Sequence, residues 1–596
     1  MKQIIFFYRM MSSKQLAVLR VVFTPECATS AGFFKQDIKH RTQNSELRTQ
    51  NSPLTTRISR FSLLLLFITF VSKTFGQQIP LDIAVQNRYN EITLDADTSI
   101  FTGFRSVNWI EVEPYLNNIR NNIIDSIFGL SKTPGNYSFK NIGSNNWIQS
   151  ANGKHSFAID PYVVAVAGTQ NADSGSKALA QVIGGLQLRG VYKDKLSYSI
   201  GFATGYGRFP AYVNSFIDSN QNYIPGAGKG SRKSNGYTST QVNANITYQP
   251  SKHFLFAAGY GKNFIGDGYR SLILSDNVSN YPYLRFQTRL WRLTYNVIYN
   301  KFTSPRYKVY GEKQRKYSVM HYLGINFSSK FQLGLYDNII WFAKDSLSGE
   351  TGFDVQYINP VIFMRPIDFT IGSPDNAFLG ITMKYKIYKD GFLYSQIAID
   401  DLNLTASFKN HAQSYGNKYA LQLGIYNKDF LHVKDLSWRF EWNGVRPYMY
   451  GHGFGKTGLN YTHNNQALAD PFNANFHEFI SMFQYHNERW YGMLENLFTI
   501  RGENPGNLPY ENGENLWGGE LNVAQYLPYG SKTLQGIKHK YFYNQLTAGY
   551  LLNPKNRLSL QADVVYRHHS APGISGNNVF FMFGIQTRLF NYYHDF

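Results

Sequence analysis

The sequence is almost without cysteine: of its 596 residues only Cys27 carries a thiol. Downstream of it, a disulfide framework, a cysteine-ligated metal and a cysteine nucleophile are all excluded, so rigidity must come from backbone hydrogen bonding. Charge is scarce as well. Charged residues make up 16% of the chain, against roughly 25% in soluble domains. Long apolar runs are missing beyond the N-terminal region, and without a run of about 20 such residues a helical membrane protein is excluded too.

What is abundant is rings and glycine, with 44 Tyr, 45 Phe and 50 Gly. Amphipathic aromatics without apolar runs are what a transmembrane β-barrel requires. Its rings form interfacial girdles, and its strands alternate lipid-facing with lumen-facing side chains. The formal charge is +20. Residues 1–76 hold 11 Lys and Arg against 3 Asp and Glu, a net of +8, which leaves +12 for the remainder. Such a surplus on a surface barrel attracts anionic glycans or lipid headgroups. Nucleic acid fits less well, because the cations are scattered singly along the chain and form no stripe.

Arg57–Arg60 followed by the apolar run Phe61–Val71 and the small residues near Gly76 reads as a secretory signal over 57–76. Cleavage after Gly76 would leave Gln77 first, with no cysteine nearby to take a lipid. Ahead of it RTQNSEL (Arg41–Leu47) is followed at once by RTQNSPL (Arg48–Leu54). A tandem polar repeat upstream of a signal reads as a spurious extension over 1–56 from a misassigned start, and it is set aside. Residues 77–160 are expected to form a periplasmic segment. Within it Gln77–Ile100 is polar and weakly patterned. Trp109–Leu130 places Ile119, Ile123, Ile124, Ile127 and Phe128 at spacings of three and four, which predicts an amphipathic helix. That helix either plugs the periplasmic mouth of a barrel or lies on a local core.

From Tyr162 onward the pattern has period two. In Gln241–Tyr248 the residues Gln241, Asn243, Asn245 and Thr247 alternate with Val242, Ala244, Ile246 and Tyr248. This is the polar-in, apolar-out rhythm of a barrel wall. Tyr283–Asn300 exceeds one membrane strand of about 9–11 residues and is expected to turn near Leu290–Arg292. Counting runs from Gln181–Tyr192 to Asn578–Leu589 predicts about 17–18 antiparallel strands over 161–596, an all-β fold. Short connections such as Gln249–Lys252 and Asn553–Asn556 contrast with long ones such as Arg208–Tyr237 and Val445–Asn475, as in outer-membrane topology. The end RLFNYYHDF reads as a final strand closed by the terminal aromatic Phe596, a signal for outer-membrane barrel assembly.

Few motifs carry chemistry. Gly453–Gly458 matches G-x-G-x-x-G by letters, but no βαβ unit or following helix supplies an anion site there. The histidines form no H-E-x-x-H, and adjacent His568 and His569 in a strand point to opposite faces. No local signature brings a Ser and a His together, so no catalytic residue, cofactor or metal is assigned. Three polar-aromatic segments stand out: Gly259–Phe286, Asp354–Asn376 and Thr462–Glu478. The first supplies Lys262, Asn263, Asp267, Tyr269, Arg270 and Asp276. The second supplies Asn359, Arg365, Asp375 and Asn376, and the third Asp470, Asn475 and His477. Planar amides, carboxylates and rings bind sugar hydroxyls and sugar faces. The same groups equally suit a lumenal hydrogen-bond network that seals the barrel.

GYGKNFIGDGYRSLILSDN (Gly259–Asn277), YINPVIFMRP (Tyr357–Pro366), GSPDNAFLG (Gly372–Gly380) and HNNQALADPFNANFHE (His463–Glu478) resemble segments of the capsule assembly Wzi family. The resemblance extends to its Bacteroidetes branch, labelled gliding-motility RemB. It implies an eighteen-strand outer-membrane barrel with a helical bundle at its periplasmic end. It also implies a non-enzymatic, lectin-like role in holding capsular polysaccharide. The expected partners are surface polysaccharide and outer-membrane lipid, with the barrel acting as a monomer in a Gram-negative outer membrane. A gliding-motility or secretion component with protein partners is the main alternative, and a passive porin the third.

Overall fold

The computed structural model describes residues 81–95, 101–105, 143, 145–151, 155–171, 177–193, 195–309, 311–345, 349–350, 352–362, 375–402, 413–452, 457–517, 522–588 and 592–596. The upstream extension, the signal segment and the expected helix Trp109–Leu130 lie outside the described residues.

Eighteen strands close into one barrel. They are β1 (His155–Asn171), β2 (Ala178–Tyr192), β3 (Leu196–Arg208), β4 (Gly236–Ser251), β5 (Phe254–Gly261) and β6 (Tyr281–Leu290). Next come β7 (Leu293–Val309), β8 (Glu312–Asn326), β9 (Phe331–Phe342), β10 (Asn376–Tyr388), β11 (Gly391–Asp401) and β12 (Lys418–Asn427). The circuit ends with β13 (Leu436–Val445), β14 (Phe476–Asn487), β15 (Trp490–Glu503), β16 (Ile537–Asn553), β17 (Leu558–Ala571) and β18 (Ile574–Thr587). Each pairs antiparallel with its neighbour in sequence, and β18 returns to β1 in the register Val164↔Gln586 to Asn171↔Val579. Closure leaves no unpaired edge, which is the condition for a sheet to cross a membrane.

Alternation decides which face each side chain takes. In β6, Pro282, Leu284 and Phe286 are exposed on the outer face while Tyr281, Tyr283, Arg285 and Gln287 are buried inside. In β13 the outward Trp438, Phe440 and Trp442 alternate with inward Arg439, Glu441 and Asn443. Exposed Leu, Val, Ile and Phe recur around the wall, for example Val182, Ile246, Leu546 and Phe583. Such a belt is stable against acyl chains and unfavourable in water by ~1.5–3 kcal/mol for each large side chain.

The turn expected near Leu290–Arg292 is present, with β6 ending at Leu290 and β7 starting at Leu293. Trp291 there has φ +52° and is wholly exposed. At this end of the barrel the strands are joined by short turns. The other end carries the long connections, including 209–235, 262–280 and 446–475.

Two helices depart from the sequence expectation. Helix α1 (Ile83–Asp95) forms inside the stretch read as weakly patterned. Its start is capped by Asp82, whose Oδ1 accepts from the Ala84 amide at 3.1 Å. It crosses the short-turn mouth: Asp82 pairs with Arg557 at 2.8 Å, and Leu94 O accepts from Lys386 at 2.6 Å across the lumen. Helix α2 (Ala211–Ser219) lies in the connection after β3 and buries Val213 and Ile217.

The closing strand is a second correction. It stops at Thr587, and residues 592–596 run inside the barrel. Phe596 therefore closes no strand. Its ring packs against Phe216 at 4.8 Å and Tyr212 at 5.9 Å. Polar partners in the lumen outcompete pairing with a wall whose ladder is already complete.

A charge on the lipid-facing side tests the assignment of faces. Leu284→Arg should destabilise the barrel by ~2–4 kcal/mol in liposome-based denaturant unfolding. Gln287→Ala, on the lumen side of the same strand, should lose about 1 kcal/mol or less.

Candidate functional site

The connection 262–280 does not extend away from the barrel; it folds into the lumen. Ile265, Leu272, Ile273 and Leu274 are fully buried and pack with Tyr281, Ile298, Met320 and Tyr336 of the wall. Such close approach needs glycine. Gly266 has φ +127°, and a Cβ there would stand 1.9 Å from Gln396 Nε2.

Arg270 is the hub, about 1% exposed. Its guanidinium meets Glu478 Oε1 at 3.1 Å, Asp595 Oδ2 at 2.9 Å and Asp470 Oδ2 at 3.8 Å. It is also flanked by the rings of Tyr269 (4.9 Å) and Tyr593 (5.1 Å). Burial alone would depress its pKa, but Asp595 and Glu478 raise it well above the usual value. Glu441 of β13 receives the backbone amides of Tyr269 (2.7 Å) and Arg270 (3.1 Å), fixing the loop's path. One turn of chain away, Asp267 accepts from Thr102 Oγ1 at 2.6 Å and pairs with Lys384 at 3.1 Å. The Asp267 carbonyl takes a further bond from Arg439 at 2.6 Å.

The C-terminal tail completes this network. Tyr592 OH donates to Gln241 Oε1 and Tyr593 OH to Asp276 Oδ1, both at 2.6 Å. Tyr269 OH donates to Asp595 Oδ2 at 2.9 Å. Arg567 Nε donates to Phe596 O at 2.9 Å, and Tyr212 OH to His594 O. Beside the tail a cavity of about 220 Å³ is lined by Tyr162, Gln181, Gln545, Asp563 and Arg588 among others. At ~30 Å³ per molecule it has room for about seven waters.

Lys262, Asp267, Tyr269, Arg270, Asp276 and Asp470 thus converge in the lumen. Asn263 is fully buried beside them, its amide donating to Tyr281 OH at 3.1 Å. Asp470 Oδ1 accepts from Phe472 N at 2.8 Å, and burial beside Glu478 pushes its carboxyl well up. Asn475 staples two long loops together: it donates to Gly502 O and Gln535 O, each at 2.9 Å, and accepts from Leu534 N at 2.7 Å. Asn376 points inward to Leu459 O at 2.9 Å.

Others lie apart. His477 sits on the outer face of β14, stacked on Trp442 with ring centres 5.8 Å apart. Its neighbour Glu478 takes the inward position, so one residue of parity separates the expected contact from the real one. Asn359 lies on the outside too. The segment 353–361 folds back over β7–β9, with Tyr357 against Trp341 at 4.6 Å. Tyr295 OH donates to Pro360 O at 2.6 Å and Tyr299 OH to Ile358 O at 3.0 Å. Asn359 Oδ1 accepts from Val361 N, and Asp375 accepts from Tyr357 OH. Arg365 and residues 453–456 of the glycine-rich loop lie outside the described residues.

Sequence reading overlooked Glu441, Arg439, Lys384, Glu495, whose Oε1 accepts from Tyr269 OH at 3.2 Å, and the tail residues Tyr593 and Asp595. For the wall residues a signal existed. Arg439, Glu441 and Asn443 occupy one parity of β13 while Trp438, Phe440 and Trp442 occupy the other. Charge at the inward parity of a barrel strand marks a lumenal partner. No comparable signal exists for the tail. Among the described residues no group of three or more His, Cys, Asp or Glu is placed to hold a metal.

No protein-family model and no curated protein sequence matches the chain. Solved structures do. The chain is similar to Wzi of Escherichia coli, described as an outer-membrane protein involved in group 1 capsule assembly and a carbohydrate-binding β-barrel. The TM-score is 0.52 at 11% identity, covering 86% of this chain and 99% of that one. The fold is that of an outer-membrane barrel. Weaker likenesses are to Pseudomonas aeruginosa OprD, with TM-score 0.38 at 10% identity over 72% of this chain and 94% of that one. Acinetobacter baumannii OccAB4 gives 0.37 at 11% identity over 72% and 98%.

Arg270→Met should leave Glu478, Asp470 and Asp595 without their cation and destabilise the barrel by roughly 3–5 kcal/mol. Asp595→Asn should cost less, because Glu478 remains paired; denaturant midpoints of the two variants check the order. Lys262 gives a pH signature. Its Nζ donates to Asp276 O at 3.0 Å, yet burial lowers its pKa to about 8. The unfolded chain holds this proton up to about 10.4. The group therefore opposes folding fully below about pH 8, and stability rises with pH between about 8 and 10.4. Lys262→Met should remove that rise, worth a few kcal/mol by the ~1.4 kcal/mol per unit of linkage, as read from unfolding curves across the interval.

Proposed function

We propose that this barrel binds or organises surface polysaccharide in a Gram-negative outer membrane, in a lectin-like role without catalysis. The observation that carries the reading is the bracing of the long-loop end. The connections 262–280, 446–475 and 504–536 are tied to one another and to the wall through Arg270, Asn475 and the tail. A binding face built on loops must hold its geometry without a ligand to order it. The similarity in fold to a carbohydrate-binding barrel supports the same reading, as does the polar-aromatic character of the three segments. Their lumenal residues act as the frame of that face and not as its contact groups.

The filled lumen weighs against a passive pore. Helix α1 crosses one mouth, while the 262–280 loop and the tail occupy the interior, whereas porins keep an aqueous channel. The purified barrel should bind components of a glycan array, and a deletion strain should shed or lose surface polysaccharide. In planar bilayers the intact protein should remain closed. Absence of glycan binding together with an unchanged cell surface would overturn the lectin role, and steady open-channel conductance would favour a pore.

A further inference from the structure

We infer that the long-loop end carries a binding surface for acidic polysaccharide, formed where the tip of the β7–β8 hairpin meets the connection between β3 and β4. The inference rests on the polysaccharide role and names the chemical class and the place.

The cations involved form two short clusters in sequence, 229–233 and 306–313, and the fold brings the two together. Lys229, Arg232 and Lys233 are exposed on the β3–β4 connection, and Arg306, Lys308 and Lys313 are exposed on the hairpin tip. The two elements touch directly. Arg306 Nη2 donates to Asn220 Oδ1 at 3.0 Å and to Ser219 O at 3.3 Å, and Lys313 Nζ donates to Tyr223 OH at 3.4 Å. The acids within residues 209–235 and 305–313 are Asp218 and Glu312. Asp218 is occupied by Arg232 at 2.6 Å and by Tyr237 OH at 2.5 Å. Six cations thus face two carboxylates, and most of the positive charge is unmatched within the surface.

The scaffold under them is ordered. Ser231–Lys233 pairs with the start of β4, and Lys308 sits opposite Lys313 in the β7–β8 ladder. Neighbouring strands hold such groups about 4.7–4.9 Å apart. An aromatic is present as well: the Arg306 guanidinium lies over the Trp517 ring at 4.7 Å. Cations beside a ring suit a sugar that presents a carboxylate on one edge and C–H groups on a face.

Height separates a polymer from a lipid headgroup. β7 has 17 residues, about six more than the 9–11 needed to cross the bilayer. At ~3.3 Å per residue the tip stands up to roughly 20 Å along the strand beyond the membrane span. That places the surface above the headgroups and within reach of an extended surface glycan.

The full-length barrel in detergent should bind immobilised alginate, a carboxylated polysaccharide, more tightly than neutral dextran. Binding should weaken at least ~10-fold between 50 and 300 mM NaCl, as expected for exposed charges. Glutamine at all six positions should reduce alginate affinity by ~10-fold or more while leaving dextran unchanged. Because Arg306 and Lys313 also join the two elements, Lys233→Gln with Lys308→Gln alone serves as a second variant, expected to lose ~3-fold or more. Heat-modifiable migration on gels confirms that each variant is folded. Lys532→Gln with Lys538→Gln, exposed cations elsewhere at the same end, should change affinity less than twofold. Equal losses in that control, or duplex DNA binding as tightly as alginate, would overturn the inference by reducing it to net charge. Unchanged alginate binding in both patch variants would overturn it while leaving the polysaccharide role standing. Failure of the wild type to bind alginate would overturn the inference, and the polysaccharide role would fall with it only if the glycan array were also silent and the deletion strain's surface unchanged.

Discussion

A guanidinium sealed inside a barrel must be matched by anions, and Arg270 sets that requirement at the centre of this molecule. Its partners come from parts of the chain far apart in sequence: Glu478 from β14, Asp470 from a long connection and Asp595 from the tail. Glu441 holds the backbone amides of Tyr269 and of Arg270 itself. An uncompensated charge at this depth is unfavourable by several kcal/mol. The loop, the tail and two wall strands are therefore held to one mutual arrangement. Charge matching at Arg270 and the apolar cluster around Leu272, Ile273 and Leu274 organise the interior together.

The same logic explains why so much polar material lies inside while so much apolar material faces out. A membrane barrel inverts the soluble pattern, since lipid accepts rings and aliphatic chains and the closed interior shelters amides and ions. Polar rings serve both sides. Tyr269 and Tyr593 flank Arg270 within the lumen, whereas Tyr295 and Tyr299 hold the outer segment 353–361 through its carbonyls. Along that segment Val355, Ile358 and Val361 are turned outward, continuing the apolar belt of the wall.

Much of the wall was legible because period-two alternation is local. The turn between β6 and β7 could be placed from strand length alone, and the inward parity of Lys384, Arg439 and Glu441 was present in the pattern. The segment Gly259–Phe286 stands out in sequence by its polar and aromatic residues, and in the structure its glycines Gly266 and Gly268 meet Gln396 and Glu441. Other features were not legible. Helix α1 has a weak apolar pattern, and it is held by Asp82, Asn87 and Glu91 meeting Arg557, Arg439 and Tyr426 of the barrel and by burial of Ile83 and Leu94. His477 and Glu478 are both plausible polar contacts by composition, and only the register of β14 decides which faces inward.

The sequence by itself determined the class: alternation, ring content and the lack of cysteine and apolar runs require a closed sheet in a membrane, because each is a property of neighbouring residues. Tertiary structure decided where the interior groups meet. Phe596 read as the end of a strand, yet the tail turns inward because Arg270, Arg567 and Asp276 satisfy it there while the wall's ladder is already complete. Two basic clusters about 75 residues apart in the chain, 229–233 and 306–313, gather at the β7–β8 tip because the β3–β4 connection docks on that hairpin. Such meetings depend on long-range closure, and no local pattern records them.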